Sequence, residues 1–247
     1  MTQKTGLFVT GTDTGVGKTL VSAALVRRLV QLGCPVGVMK PVETGVGAGL
    51  ADHSDAARLI AAAGSTDALD LVSPYRFSSP VAPLSAAMAQ EQVIEFGEIV
   101  RRYDELAARY ACVVVEGAGG LLVPMGSDWD MGDLISCLGL PVVLVGRAGL
   151  GGINHALLTL ESLERRRITV MALMLNETAP STTLVQQQQC ASTIALLRDR
   201  VAVPLLGPVP YEPRLDCRWN ETVEQLAASR PISELAELVR KRIVEKA

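Results

Sequence analysis

Cysteine and histidine are scarce in this sequence, and their shortage excludes several kinds of site. The five cysteines among 247 residues are widely spaced and contain no C-x-x-C pair, so the sequence indicates neither a disulfide framework nor a zinc site. His53 and His155 are the only histidines, and they have no ligand spacing and no apparent Ser-His-Asp arrangement. We therefore expect free thiols in a reducing compartment.

The sequence also lacks an excess of positive charge and a long apolar run. Its formal net charge is -3, which argues against a large basic surface for nucleic acid. No apolar run reaches the ~18 residues expected of a membrane span, and residues 1–6 lack the apolar segment of a signal peptide. We expect a cytoplasmic protein that binds neither nucleic acid nor a membrane.

Aliphatic residues dominate what is present. Hydrophobic residues make up 49% of the chain and aromatic residues 4%, which suits small-residue packing between helices and a parallel sheet. Short β-branched runs alternate with longer segments of helical spacing, the pattern of βαβ units. We predict one α/β domain over residues 1–247, with a mostly parallel, doubly wound sheet flanked by helices.

The alternation assigns most of the elements. The predicted strands are Leu7–Thr10, Val36–Lys40, Cys112–Val115, Pro141–Val145, Val170–Leu175 and Leu205–Val209. The predicted helices are Thr19–Leu32, a short one from Asp55, Glu91–Tyr110, Asn154–Arg166, Thr182–Arg200 and Ser233–Glu245. Glu43–Asp52 is predicted as a loop, and Ser73–Pro83, with its three prolines, as extended or turn. Because ligands bind at the carboxyl ends of strands in such sheets, the loops after the strands are the candidate site.

The strongest local motif is Gly11–Thr19, which reads GTDTGVGKT between a predicted strand and a predicted helix. Its glycines let backbone N–H groups approach phosphate oxygens, and the helix N-terminus adds positive partial charge. Lys18 would neutralise phosphate charge, and Thr19 would offer a hydroxyl to Mg²⁺. The first glycine stands one position earlier than in G-x-x-x-x-G-K-[ST]. The motif predicts ATP binding by a P-loop NTPase fold, with a glycine-rich turn at a helix start as the alternative.

Two acids and a second lysine are candidates for phosphoryl-transfer chemistry. Glu116 ends a predicted strand before Gly117–Gly120, where a metal-binding acid belongs. Lys40 ends the second strand, beside the phosphate-loop strand in the usual doubly wound order, where it could stabilise developing negative charge. The residues alone leave three alternatives open: Glu116 as a solvated glutamate, Lys40 as a surface lysine, and Asp55 as part of a helix cap.

Several further motifs resemble the dethiobiotin synthetase family, from Val9 to about Tyr211. They are GTDTGVGKT from Gly11, KPVETG from Lys40, Ser54-Asp55-Ala56, Pro74-Tyr75-Arg76-Phe77, VEGAGG from Val115, LPVVLV from Leu140, GLGGINH from Gly149 and PLLGPVP from Pro204. The resemblance implies a homodimeric P-loop α/β ligase of biotin biosynthesis that uses Mg²⁺. Such enzymes close the ureido ring of dethiobiotin from 7,8-diaminononanoate, CO₂ and ATP, through a carbamate and a carbamic–phosphoric anhydride.

The resemblance also implies a set of site residues. It implies that Lys18 and Lys40 are catalytic and that Thr19, Asp55 and Glu116 bind Mg²⁺. The ATP-binding positions are Gly15, Val16, Gly17, Lys18, Thr19, Leu20, Asp55, Glu116, Gly117, Ala118, Gly119, Asn176, Glu177, Pro210, Tyr211 and Glu212. The substrate-binding positions are Thr14, Thr44, Gly151 and Asn154, the last two in a loop of the neighbouring subunit that receives the distal carboxylate. Gly15 stands where the family commonly carries glutamate.

A different P-loop class is the main alternative, a MinD/ParA-like ATPase that works as a dimerising switch. The deviant phosphate loop of that class carries an extra lysine near its start, where this sequence has Thr12 and Asp13. A second alternative, an amidoligase related to the cobyrinic acid amidating enzymes, usually carries a glutamine amidotransferase domain for which 247 residues leave no room. The switch should hydrolyse ATP without a diamine, whereas the ligase should require one.

Overall fold

The structure, a computed structural model, describes residues 6–47, 53–213, 215 and 217–246. The strands are β1 (Gly6–Gly11), β2 (Gly37–Met39), β3 (Val42–Thr44), β4 (Tyr75–Phe77), β5 (Val113–Gly120), β6 (Val142–Arg147), β7 (Val170–Asn176) and β8 (Leu205–Val209). The helices are α1 (Lys18–Gln31), α2 (Asp55–Ala63), α3 (Leu69–Val72), α4 (Pro83–Ala89), α5 (Phe96–Ala107), α6 (Met131–Leu138), α7 (Gly152–Arg165), α8 (Leu184–Arg200), α9 (Trp219–Ala227) and α10 (Arg230–Lys246).

Six strands form one parallel sheet in the order β2-β5-β1-β6-β7-β8, and β3 pairs with β4 in a small parallel sheet beside it. Alternate residues of β1 enter two separate cores, Leu7 and Val9 on one face and Phe8 on the other. Helices α1, α2, α9 and α10 cover the first face, and α5 to α8 cover the second. The predicted α/β fold with a parallel, doubly wound sheet is confirmed.

The strand order corrects one expectation about Lys40. β5 lies between β1 and β2, so Lys40 does not follow a neighbour of the phosphate-loop strand. In the parallel register Met39 pairs with Val115, and Val9 pairs with Glu116. The inserted strand therefore brings Glu116 next to both the phosphate loop and the residue after β2.

The position of Glu116 within its strand also differs from the prediction. β5 continues through Gly120 and pairs Gly120 with Gly11, so Glu116 lies inside the strand and not at its end. The pairing passes from Val9 with Glu116 directly to Gly11 with Gly120, so Gly117–Gly119 bulge out of the ladder. Small side chains permit this bulge, which the apolar pattern ending at Val115 does not reveal.

Other differences lie in the middle of the chain. The predicted helix Glu91–Tyr110 is shorter, because Glu91 has a positive φ of 52° and α5 begins at Phe96. Pro83 opens α4, which the sequence analysis missed: proline lacks an N–H and is tolerated in the first helical turn. α3, α6, α9 and the β3–β4 pair were also missed. The predicted loop Glu43–Asp52 begins inside β3 and lies partly outside the described residues.

No helix in the described ranges combines the length and apolarity needed to cross a membrane.

The buried face of α1 gives a test of the packing. Leu25 is fully buried between α1 and the sheet, whereas Leu184 on α8 is 77% exposed. We expect Leu25→Ala to lower the free energy of unfolding by about 2–5 kcal/mol, because it leaves a cavity in a close-packed core. Leu184→Ala should change it by less than about 0.5 kcal/mol. Urea denaturation followed by circular dichroism measures both, and equal losses would contradict the assigned packing.

Candidate active site

The loop between β1 and α1 is shaped by left-handed glycines and closed by Lys18. Gly17 has a φ of 95° and precedes the first turn of α1. The buried Lys18 folds back over the loop, and its Nζ donates to the Asp13 carbonyl at 2.9 Å. Burial, together with the nearby charge of Lys40, lowers the pKa of Lys18 to about 8. The nearby carboxylates therefore do not fully offset the cost of burying the Lys18 ammonium beside Lys40, and a phosphate anion would stabilise this charge.

Lys40 lies between two carboxylates. Its Nζ is 2.7 Å from Glu116 Oε1 and 2.8 Å from Asp55 Oδ2, and it also donates to the Gly117 carbonyl at 3.2 Å. The side chain of Lys40 is 4% exposed and that of Glu116 is fully buried. Burial by itself lowers the pKa of Lys40, but the charges of Glu116 and Asp55 outweigh burial and raise it above the ordinary value. Lys40 is accordingly a permanent cation at neutral pH.

The oxygens around Lys40 fit a magnesium ion that is shared with a nucleotide. Thr19 Oγ1 donates to Glu116 Oε1 at 2.8 Å, and Glu116 Oε2 is buried with no hydrogen-bond partner among the described residues. Asp55 has a lowered pKa: burial raises it, but the charge of Lys40 and its hydrogen bond outweigh burial. Within the described ranges, no three His, Cys, Asp or Glu side chains form a metal cluster. The oxygens of Thr19, Asp55 and Glu116 instead suit a Mg²⁺ ion that is held by one or two carboxylates together with phosphate oxygens.

A cavity of about 330 Å³ opens over these groups. Lys18, Lys40 and Asp55 meet in its wall, so two cations and an acid from three separate elements face one space. Most of the phosphate-loop positions implied by the resemblance also line it. The implied residues in its wall are Thr14, Gly15, Gly17, Lys18, Thr19, Leu20, Lys40, Thr44, Asp55, Ala118 and Gly119.

Proteins of similar sequence carry one common description. The ATP-dependent dethiobiotin synthetase BioD of Anaeromyxobacter dehalogenans (strain 2CP-C) is 45% identical over 223 residues, which are 90% of this chain and 97% of that protein. The protein of the same name from Anaeromyxobacter sp. (strain Fw109-5) is 40% identical over 98% of this chain and 98% of its own length. The chain belongs to the dethiobiotin synthetase family. The family model for an AAA domain matches residues 5–218.

A solved structure outside the family shares the fold. The MinD cell division protein of Aquifex aeolicus superposes with a TM-score of 0.56, over 96% of this chain and 95% of that one, at 16% identity. At this identity the likeness shows a common fold alone. The alternative of a MinD/ParA-like switch gains no functional support from it, whereas the two dethiobiotin synthetases are 45% and 40% identical to this chain.

Several residues that the family resemblance implied lie outside the cavity wall. Asn176, at the end of β7, donates from Nδ2 to the Val16 carbonyl at 3.0 Å, and its buried Oδ1 has no partner among the described residues. Glu177 is bonded through its backbone N–H to Val209. Pro210, Tyr211 and Glu212 follow β8, beyond β7 in the sheet, and Gly151 and Asn154 lie exposed at the start of α7. Their predicted roles in adenine and carboxylate binding stay predictions.

The structure adds four residues to the cavity wall that the sequence analysis did not single out: Glu43, Arg58, Leu215 and Trp219. The Arg58 guanidinium lies 4.1 Å from the centre of the Trp219 ring, so α2 and α9 meet there. Leu215 and Trp219 follow Glu212, in the region where the family resemblance is weakest. Tertiary packing brings Leu215 and Trp219 to the site, and no local sequence pattern predicts this.

The contact between Gly17 and Asn176 gives a test of the phosphate loop. A Cβ on residue 17 would lie 2.1 Å from Asn176 Nδ2, and its φ of 95° disfavours a side chain. We expect Gly17→Ala to weaken ATP binding at least about tenfold, equivalent to ~1.4 kcal/mol, because the loop must move away from Asn176. Isothermal titration calorimetry measures the affinity.

Gly64→Ala is the matched control. Gly64 has a φ of 60°, but no atom lies within 4 Å of its added Cβ. This variant should lose about 1–2 kcal/mol of stability from backbone strain and keep its ATP affinity. Equal ATP affinities for the two variants would show that the Asn176 contact does not shape the loop.

Proposed function

We propose that this member of the dethiobiotin synthetase family closes the ureido ring of dethiobiotin from 7,8-diaminononanoate, CO₂ and ATP, and releases ADP and phosphate. The observation that supports this most strongly is the buried Lys40, held between Glu116 and Asp55 in the wall of the P-loop cavity. A site that transfers a phosphoryl group to a carbamate must neutralise negative charge on both reactants. Lys18 and Lys40 supply two positive charges to one cavity, and Mg²⁺, when bound, would offset the charges of Glu116 and Asp55.

The proposed reaction is the one that the family resemblance implies, and the charges of the site are compatible with it. One amine of the diamine captures CO₂ as a carbamate, whose oxygen attacks the γ-phosphorus of ATP and displaces ADP. The second amine then attacks the carbonyl of the carbamic–phosphoric anhydride, closes the five-membered ring and expels phosphate. No covalent bond to the protein is required, so positioning and electrostatic stabilisation supply the catalysis.

Each group has a distinct part in this scheme. Lys18 reaches the β- and γ-phosphates, and Lys40 stabilises the charge that develops between the carbamate and the γ-phosphate. Because the pKa of Lys40 is raised, it acts as a cation and not as a base. Mg²⁺, when bound, would be held by Thr19, Asp55 and Glu116 and would neutralise charge on the phosphate oxygens. The backbone from Gly15 to Leu20 and from Gly117 to Gly119 holds the phosphates.

The diamine has a suitable place on the other side of the phosphate loop. A second cavity of about 330 Å³ shares Thr14 with the first and is lined by Leu121, Leu122 and Leu158, among others. Its leucines suit the methylene chain of 7,8-diaminononanoate, and its wall also holds polar side chains such as Asp13 and Thr159. We expect Thr14 and Thr44, which line the first cavity, to contact the carbamate end. The adenine is held by Asn176, Glu177 and the Pro210–Glu212 stretch.

We propose further that residues 1–247 form one catalytic domain and that the enzyme is a cytoplasmic homodimer. Leu150 is 81% exposed beside Gly151 and Asn154, and Leu122 and Leu158 are exposed at the second cavity. A second copy covering these leucines would bring its Gly151–Asn154 loop to the distal carboxylate of the substrate. All five cysteines are free thiols.

The direct test is a mass-spectrometric assay with ATP, Mg²⁺, bicarbonate and 7,8-diaminononanoate, from which one component is left out at a time. We expect dethiobiotin and ADP in equal amounts from the complete mixture and no dethiobiotin after any omission. ATP hydrolysis that is independent of the diamine, without dethiobiotin, would contradict the proposal and favour the switch alternative.

Removal of Lys40 tests its assigned part. We expect Lys40→Ala to bind ATP and to lose about 10²–10³-fold in kcat, because it removes a positive charge that acts on the transition state. Lys241→Ala, which removes an exposed lysine on α10, is the control and should retain full turnover. Calorimetry for binding and coupled ADP release for kcat separate the two effects. Near-normal turnover of Lys40→Ala would remove Lys40 from the catalytic set.

A further inference from the structure

Glu43 is a buried carboxylate in the wall of the active-site cavity, and it also reaches the start of a helix. It lies on β3, is 6% exposed, and directs both oxygens at the start of α2. Its Oε1 accepts from the Asp55 backbone N–H at 2.5 Å, and its Oε2 accepts from the Ala56 N–H at 3.2 Å. One side chain thus binds two successive N–H groups of a helix that begins twelve residues later in the chain.

These contacts fix the first turn of α2. The next backbone N–H, that of Ala57, donates to Ser54 Oγ at 3.1 Å, so the first three N–H groups of the helix all have acceptors. Helix N-termini normally leave these groups unpaired and carry positive partial charge. A carboxylate supplied by a neighbouring strand satisfies them and ties the helix to that strand.

The hydrogen bonds of Glu43 hold the backbone of Asp55, the residue whose side chain contacts Lys40. Asp55 is the first residue of α2, and its Oδ2 lies 2.8 Å from Lys40 Nζ. Because Glu43 accepts from the backbone N–H of Asp55 itself, it fixes the point from which that carboxylate extends. β3 is in turn held by β4, with Glu43 paired to Arg76. The pairing of β3 with β4 therefore helps to fix the position of Glu43 and, through it, the start of α2.

We propose that Glu43 is a positioning residue, which holds Asp55 in place for the magnesium–nucleotide complex. This inference rests on the proposed function in one respect, that Asp55 binds Mg²⁺ together with ATP. Glu43 is not a catalytic residue, because both of its oxygens are bonded to the helix backbone. Its effect on nucleotide binding should therefore appear only where Mg²⁺ takes part.

The experiment compares ATP binding in excess Mg²⁺ with binding in EDTA, by isothermal titration calorimetry on the full chain. The ratio of the two affinities reports the contribution of the metal. We expect Glu43→Ala to lower this ratio by about tenfold, as is typical when a group that orients a metal ligand is removed, and to change binding in EDTA by less than about twofold. Glu43→Gln, with one remaining acceptor oxygen, should lie between Glu43→Ala and the unmodified chain.

Two further variants separate the possible causes of a lowered affinity ratio. Asp55→Asn removes the proposed ligand itself and should lower the ratio at least as much as Glu43→Ala. Thr183→Ala removes the side-chain cap of α8 and should leave the ratio unchanged. It controls for the general effect of losing a helix cap. Thermal unfolding of each variant shows that the chain is folded, and Glu43→Gln decides the question if Glu43→Ala does not fold.

The outcomes distinguish this inference from the function on which it rests. A lowered ratio in Asp55→Asn with normal ratios in both Glu43 variants would overturn the positioning role alone. An unchanged ratio in Asp55→Asn would overturn both the positioning role and the assignment of Asp55 to Mg²⁺. Faster hydrogen exchange at the start of α2 in Glu43→Ala, without a change in the affinity ratio, would show that Glu43 only caps the helix and would overturn the positioning role.

Discussion

The buried ammonium of Lys40 between Glu116 and Asp55 is the interaction on which the site depends. Burial of a lysine that is 4% exposed lowers its pKa, because burial penalises the charged form. The two carboxylates reverse this effect and keep it cationic. They would themselves repel each other without the lysine. The three groups therefore stabilise one another, and they keep the Lys40 ammonium at the edge of the cavity.

The strand order makes this cluster possible. Glu116 comes from β5, Lys40 follows β2 and Asp55 opens α2, and these elements meet because β5 is inserted between β1 and β2. The same insertion places Glu116 within hydrogen-bonding reach of Thr19 on α1. The bulge after Glu116 then returns small residues to the phosphate loop. Backbone topology thus sets the distances that the chemistry requires.

Three further contacts hold the segments that carry the groups of the site. Glu43 ties the start of α2 to β3, Asn176 supports the phosphate loop at Val16, and the Arg147 guanidinium lies 3.0 Å from Asp13. Glu43 lies on β3 of the small sheet, whereas Arg147 and Asn176 end β6 and β7 on one side of β1. The three contacts tie the start of α2 to β3 and the phosphate loop to the ends of β6 and β7.

Local sequence patterns by themselves determined the α/β class, the phosphate loop and most element positions. Apolar spacing and the Gly-Lys-Thr triplet act over a few residues and need no tertiary contact. Local patterns also singled out Lys40, Asp55 and Glu116 as candidates but left surface or capping roles open, and the family resemblance implied their roles in catalysis and Mg²⁺ binding. Only the tertiary structure decided that β5 separates β1 from β2, that Glu43 caps α2, and that Trp219 lines the cavity. The physical reason is that these facts depend on contacts between residues far apart in the chain, which no local pattern encodes.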